Sequence, residues 1–139
     1  MTNAPVTGVL LAGGQSRRMG VATRGLLPLA GKAMLQHVID RLRPQVGAIV
    51  LNANGDPARF QGFGLPVVAD TIAGHVGPLA GVLAGMRWSL AEAPQRPWVV
   101  TAAGDAPLLP TIWSIACGPP STAAPDGSRW RAPAANCTP

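Results

Sequence analysis

The sequence predicts an α/β domain, a Rossmann-like and mainly parallel sheet flanked by helices. Three observations predict it. Short uninterrupted apolar runs, closed by glycine or a polar residue, have the character of strands buried on both faces of a parallel sheet. Between them, apolar residues recur at helical spacing. The two patterns alternate along the chain, which requires crossover connections and right-handed packing of helices on the sheet.

The first run, Val6 to Leu11, ends in Gly13 and Gly14 and reads as a buried strand. A polar loop from Gly13 to Gly20 follows. Met34, Leu35, Val38, Ile39 and Leu42 then repeat at helical spacing until Pro44 closes the segment. A second strand is expected from Ala48 to Leu51 and a short third at Val67 and Val68, with Asp70 at its carboxyl end. Gly77 and Pro78 open a helix through about Ala91, proline standing where its missing N–H costs nothing. Pro94 and Pro97 bracket the exit into a fourth strand, Trp98 to Ala102. In open α/β sheets ligands bind beyond the carboxyl ends of the strands. That edge is expected to collect the glycine loop, Asn52, Asp70 and Asp105.

Composition narrows the function classes. The chain has 139 residues, enough for one domain with a real core and too few for two ordinary ones. A formal charge of +5 suits an anionic partner such as a nucleotide. The eleven basic residues form no run, however, and only 4% of residues are aromatic, so a nucleic-acid arm or base-stacking surface is not expected. Cys117 and Cys137 have neither metal-site nor disulfide-framework spacing, which leaves a reduced, cytoplasmic setting as the expectation. The first apolar run is too brief for a signal peptide core or a membrane span.

The loop L-A-G-G-Q-S-R-R-M-G occupies residues 11 to 20. Adjacent glycines after a buried strand let the backbone turn sharply and present N–H groups unobstructed by a Cβ, as a phosphate chain requires. Arg17 and Arg18 add charge for phosphate oxygens. The loop lacks the Gly-Lys-Ser/Thr of a Walker loop and the spacing of the dinucleotide G-x-G-x-x-G. On residues alone, a glycine turn with solvated arginines fits as well as a phosphate site. Likewise Asp105 could be a turn aspartate before Pro107, Asp70 a cap, and Asn52 and Asn54 turn residues. His37 and His75 have no catalytic-type partner in the sequence and read as structural or solvated, and the four tryptophans as packing or tail residues.

The loop is similar to the signature of nucleotidyltransferases that build on molybdopterin. Its second glycine favours the guanylyl branch over the cytidylyl branch, which usually has L-A-A-G. G-L-L-P-L-A-G-K (25–32), Q-H-V-I-D-R-L (36–42), N-A-N (52–54), V-V-A-D (67–70), G-P-L-A-G (77–81) and G-D-A-P-L-L-P (104–110) continue the resemblance in order and spacing over residues 6 to 111. The chain thus resembles the molybdenum cofactor guanylyltransferases, the MobA-like nucleotidyltransferases.

That resemblance implies a nucleotidyltransferase-type fold and transfer of GMP from GTP to molybdopterin with release of pyrophosphate. It places Leu11, Ala12, Gly13, Gly14, Arg24, Asn52, Asp70 and Asp105 against the nucleotide, Mg²⁺ on Asp105, and Arg18 with Asp105 in the transfer step. The implied partners are GTP, molybdopterin and the molybdoenzymes or cofactor chaperones served, with no nucleic acid and no membrane. Alternatives within the class are CTP-dependent molybdopterin transfer or transfer to a sugar phosphate. Outside it stands a GTP-binding partner of a molybdoenzyme without turnover.

Two segments depart from the family pattern. Residues 112–139 carry no strand or helix period, whereas the family continues with further elements. Residues 1–111 are therefore expected to be the N-terminal part of the domain, and 112–139 an aberrant, unstructured tail from a shifted reading frame. In a frame shifted by one base the codons of Trp113, Ser114, Cys117 and Ser121 become apolar at helical spacing. The chain as written, incomplete at its C-terminus, is then expected to be inactive and poorly soluble. At 21 to 24 it reads Val-Ala-Thr-Arg where the family is close to Gly-Gly-Asp-Lys. Ordinary divergence and a local frame shift account for this equally well, and a lysine codon at position 24 in the source DNA would mark the shift.

Overall fold

The computed structural model describes residues 4–13, 24–72 and 77–110. Strand β1 (Val6–Leu11) is followed, beyond the loop, by a 3-10 turn at Arg24–Leu26. A small hairpin comes next, β2 (Pro28–Leu29) and β3 (Lys32–Ala33), and then helix α1 (Met34–Leu42). Strands β4 (Ala48–Asn52) and β5 (Val67–Val68) flank a 3-10 segment, Pro57–Phe63, and helix α2 (Pro78–Glu92) leads into β6 (Trp98–Ala103).

The main sheet has the order β5-β4-β1-β6, with every pairing parallel. Thr7 to Leu11 pair with Ala48 to Asn52, and Val6 to Leu11 with Trp98 to Ala103. The expected strands and helices are all present. Two boundaries move: β4 runs through Asn52 and β6 through Ala103, so Asn52 closes a strand instead of following it. The hairpin was not anticipated, because two-residue strands carry no hydrophobic period. Its turn residues Ala30 and Gly31 both have positive φ, 50° and 81°, the geometry that joins tightly coupled antiparallel strands.

The core lies between the sheet and α1. Leu35, Val38, Ile39 and Leu42 pack with Leu10, Ile49, Leu51 and Ala102, and Val46 and Phe60 close the ends. Each fully buried leucine, isoleucine, valine or phenylalanine among them contributes about 1.5–3 kcal/mol. The hairpin is pinned to α1 by His37, whose Nε2 donates to the carbonyl of Leu29 at 2.7 Å. A carbonyl only accepts, so the proton of this imidazole sits on Nε2. Lys32 Nζ and Gln36 Nε2 meet the Asp40 carboxylate at 3.4 and 2.7 Å. The Gln36 amide, helped by Lys32 and His37, holds the Asp40 carboxyl below its ordinary range against the opposing effect of burial.

On the other face α2 approaches the sheet through small residues. Ala80, Gly81, Ala84, Gly85 and Ser89 are buried, and a Cβ on Gly85 would stand 2.4 Å from a methyl of Val9. Ser89 Oγ donates to Thr7 Oγ1 at 2.8 Å with both residues buried. Removing either hydroxyl would leave the other buried and unpaired, at about 1–3 kcal/mol. Leu79, Met86 and Leu90, on the same helix, are exposed. No helix among the described residues is long and apolar enough to cross a membrane.

Candidate functional site

The carboxyl edge of the sheet is shaped by how the chain leaves β1. Ala12 N–H donates to the carbonyl of Asn52 at 2.8 Å, and Gly104 N–H donates to that of Leu11 at 3.0 Å. The ends of β4, β1 and β6 are therefore locked together. Gly13 then passes close to two amides: a Cβ there would lie 3.2 Å from Asn52 Oδ1 and 3.3 Å from Asn54 Nδ2. Glycine is what lets the backbone run this near.

Asn52 is 3% exposed, and its Nδ2 donates to Asp70 Oδ1 at 2.9 Å and to the carbonyl of Val68 at 3.3 Å. Both protons of that amide are thus placed. Its oxygen lies against α2, where a Cβ on Gly81 would be 2.2 Å away. Asn54 Nδ2 donates to Asp70 Oδ2 at 2.8 Å, and Asn54 Oδ1 accepts the backbone N–H of Asp70 at 2.9 Å. Each oxygen of the Asp70 carboxylate thus holds one amide proton, which fixes the plane of the group. Leu11, Ala12, Gly13, Asn52 and Asp70 are gathered here, and Asp70 caps no following segment through these contacts.

Asp105 and Arg24 stand at the other end of the same edge. A Cβ on Gly25 would lie 3.0 Å from the carbonyl of Gly104, so the turn carrying Arg24 rests on the turn carrying Asp105. Arg24 Nη1 reaches Asp105 Oδ2 at 3.9 Å, with both side chains substantially exposed. Asp70 follows β5 and Asp105 follows β6, the two edge strands. Three strand spacings separate those strands, roughly 14 Å, too far for one ion to bridge the carboxylates. Among the described residues no group of three or more His, Cys, Asp or Glu is placed to hold a metal. The donor set at Asp105 is one accessible carboxylate; it fits Mg²⁺ that takes its remaining ligands from phosphate and water, as that ion ordinarily does. Gly14, Arg18 and His75 lie outside the described residues.

Asn54 is the member of the cluster that the sequence alone presents as a turn residue. Its signal was the N-A-N spacing, which puts both amides on the same side of an extended chain.

An open parallel sheet with a closely approaching glycine, Gly13, two amides and two carboxylates at its carboxyl edge belongs to the class of α/β domains that take ligands beyond their strand ends. Within that class the chain belongs to the MobA-like NTP transferase domain family, which matches residues 8–114. It is 53% identical over 112 residues to a molybdenum cofactor guanylyltransferase of Rhodopseudomonas palustris (strain BisB5), covering 80% of this chain and 53% of that protein. A second enzyme so named, from Mesorhizobium japonicum (strain LMG 29417 / CECT 9101 / MAFF 303099), is 53% identical over 105 residues, covering 76% of this chain and 50% of that one. Among solved structures, Rv0371c from Mycobacterium tuberculosis H37Rv superposes with a TM-score of 0.60 at 27% identity, covering 81% of this chain and 58% of that one. The chain spans about half the length of the relatives it matches.

Proposed function

We propose that this chain carries the nucleotide-binding part of a cytoplasmic molybdenum cofactor guanylyltransferase, which transfers GMP from GTP to molybdopterin. A phosphate oxygen of molybdopterin attacks the α-phosphorus of GTP in line; the new P–O bond forms as the bond to pyrophosphate breaks. Such transfer needs positioning and charge neutralisation more than a covalent catalyst.

The observation that carries the proposal is the fixed Asp70 carboxylate. Its oxygens hold one amide proton each and keep lone pairs for further donors. Guanine offers two adjacent donors, N1–H and the 2-amino group; cytosine and adenine offer only one exocyclic amine. In this assignment Asp70 takes the base with Asn52 lining the site behind it, the backbone of Leu11, Ala12, Gly13 and Gly14 follows the nucleotide, and Arg24 and Arg18 meet phosphates. Asp105 would hold Mg²⁺, which when bound would supply positive charge to neutralise the phosphates. Molybdoenzymes or their cofactor chaperones would receive the product.

The full-length protein is expected to release pyrophosphate with GTP and molybdopterin and with no other nucleotide, while the 139 residues as written bind weakly and do not turn over. A panel of GTP, ITP, CTP and ATP, each with molybdopterin or a sugar phosphate as acceptor, checks this. CTP use would reassign the base, transfer to a sugar phosphate would reassign the acceptor, and magnesium-dependent GTP binding without product would replace catalysis by binding. Normal turnover by the 139-residue chain would overturn the expected inactivity.

We further propose that residues 1–111 form the N-terminal part of the domain and that 112–139 are read out of frame. The family match covers residues 8–114 and leaves most of the tail outside it, which supports this reading. Sequencing of the coding DNA is expected to show a missing base near codon 111, and an intact frame there would overturn it.

A further inference from the structure

We propose that Asn54 is a positioning residue that sets the plane of the Asp70 carboxylate and thereby the preference for guanine. The inference rests on the assignment of Asp70 to the base. Asn54 is exposed and contributes nothing to the core, yet it makes two of the three short hydrogen bonds that converge on Asp70. Its amide closes a ring with Asp70: Nδ2 donates to the carboxylate at 2.8 Å while Oδ1 accepts the backbone N–H of the same residue at 2.9 Å.

Asn52 alone cannot fix the carboxylate. One donor on Oδ1 leaves the group free to turn about its Cβ–Cγ bond, a soft sp³–sp² torsion. A second donor on Oδ2 removes that freedom. The outward lone pairs then point in fixed directions, and a rigid two-oxygen acceptor distinguishes a base with two adjacent donors from one with a single donor. A freely turning carboxylate would still accept from any exocyclic amine. Asn54 touches neither phosphate nor metal in this arrangement, so its effect falls on base selection and not on the transfer step.

Two substitutions separate its functions. Asn54→Ala removes both bonds. Asn54→Asp keeps the acceptor for the Asp70 N–H but replaces the donor by a carboxylate facing a carboxylate. Amide hydrogen exchange on this chain is expected to show Asp70 N–H exchanging several-fold faster in Asn54→Ala than in wild type, with Asn54→Asp close to wild type and the melting temperatures of all three alike. An NMR titration, which reads even millimolar binding, is expected to give wild type a preference for GTP over ITP and ATP of about tenfold, the order expected for a hydrogen bond to a charged group. Both variants should lose most of that preference while magnesium affinity stays unchanged. A variant that keeps the wild-type preference overturns the role of Asn54 and leaves the assignment of Asp70 standing. A wild-type chain that binds GTP and ATP equally overturns that assignment, and the positioning role with it.

Discussion

Replacing Asp105 with alanine in the full-length protein is expected to lower GMP transfer by about 10²–10³-fold or more, the loss typical when a preorganised charge-stabilising group is removed from a transfer site. The fold should be indifferent to the change. The turn that carries Asp105 is held by backbone bonds, Gly104 N–H to Leu11 at 3.0 Å and Ala106 N–H to Ala103 at 3.2 Å, which the side chain does not touch. Among the described residues the carboxylate has only the long ion pair with Arg24 at 3.9 Å, an exposed contact worth less than about 1 kcal/mol. Pyrophosphate release and a thermal melt, measured on the same preparation, check both halves. Transfer within threefold of wild type would remove Asp105 from the reaction, and a large drop in melting temperature would make it a structural residue.

Gly81→Ala is expected to cost both stability and nucleotide affinity, against the usual sign of such a change. In an unobstructed helix interior, alanine for glycine gains roughly 0.5–1 kcal/mol. Here the added methyl would stand 2.2 Å from Asn52 Oδ1, 2.7 Å from its Cγ and 3.1 Å from a methyl of Leu11. Asn52 is buried and tied by Nδ2 to Asp70 and Val68, so it cannot swing away cheaply. Either α2 lifts from the sheet or Asn52 releases Asp70. Overpacking of this kind costs about 1–3 kcal/mol, enough to outweigh the helical gain. Thermal denaturation should show a drop of several degrees, and GTP affinity should fall about tenfold or more as the acceptor pair loosens. A melting temperature above wild type would show that the site accommodates the methyl and that the glycine is not required there.

Those parts of the molecule governed by long apolar patterns were legible in the sequence. Val6 to Leu11 and the spacing of Leu35, Val38, Ile39 and Leu42 announce a buried strand and the helix that covers it. The parallel direction of the strands follows from alternation, and with it the edge along which Asn52, Asp70 and Asp105 are spread. What escaped depends on contacts without a period. The Asn54–Asp70 ring joins side chains 16 positions apart through a strand pairing only two residues long. The seating of Gly25 on Gly104 is a backbone contact that no side-chain pattern records. Helix α2 shows the limit of size as a guide: Leu79, Met86 and Leu90 are exposed and Val82, Leu83 and Trp88 only half-buried, while glycine, alanine and serine face the sheet, because close approach to Val9 and Thr7 leaves room for nothing larger.

The strand order also dictates a sequence of events during synthesis. β1 is made first but lies between β4 and β6, so its second neighbour is complete only at Ala103. Roughly 90 residues separate Leu11 from that point, and ribosomes add about 5–20 residues each second. For roughly 5–20 s the nascent chain therefore carries an apolar strand with at least one unpaired edge. Such high-contact-order pairing is slow and exposed to mis-association. Recovery of native protein from cells should thus respond more to translation rate and growth temperature than the small size of the domain would suggest.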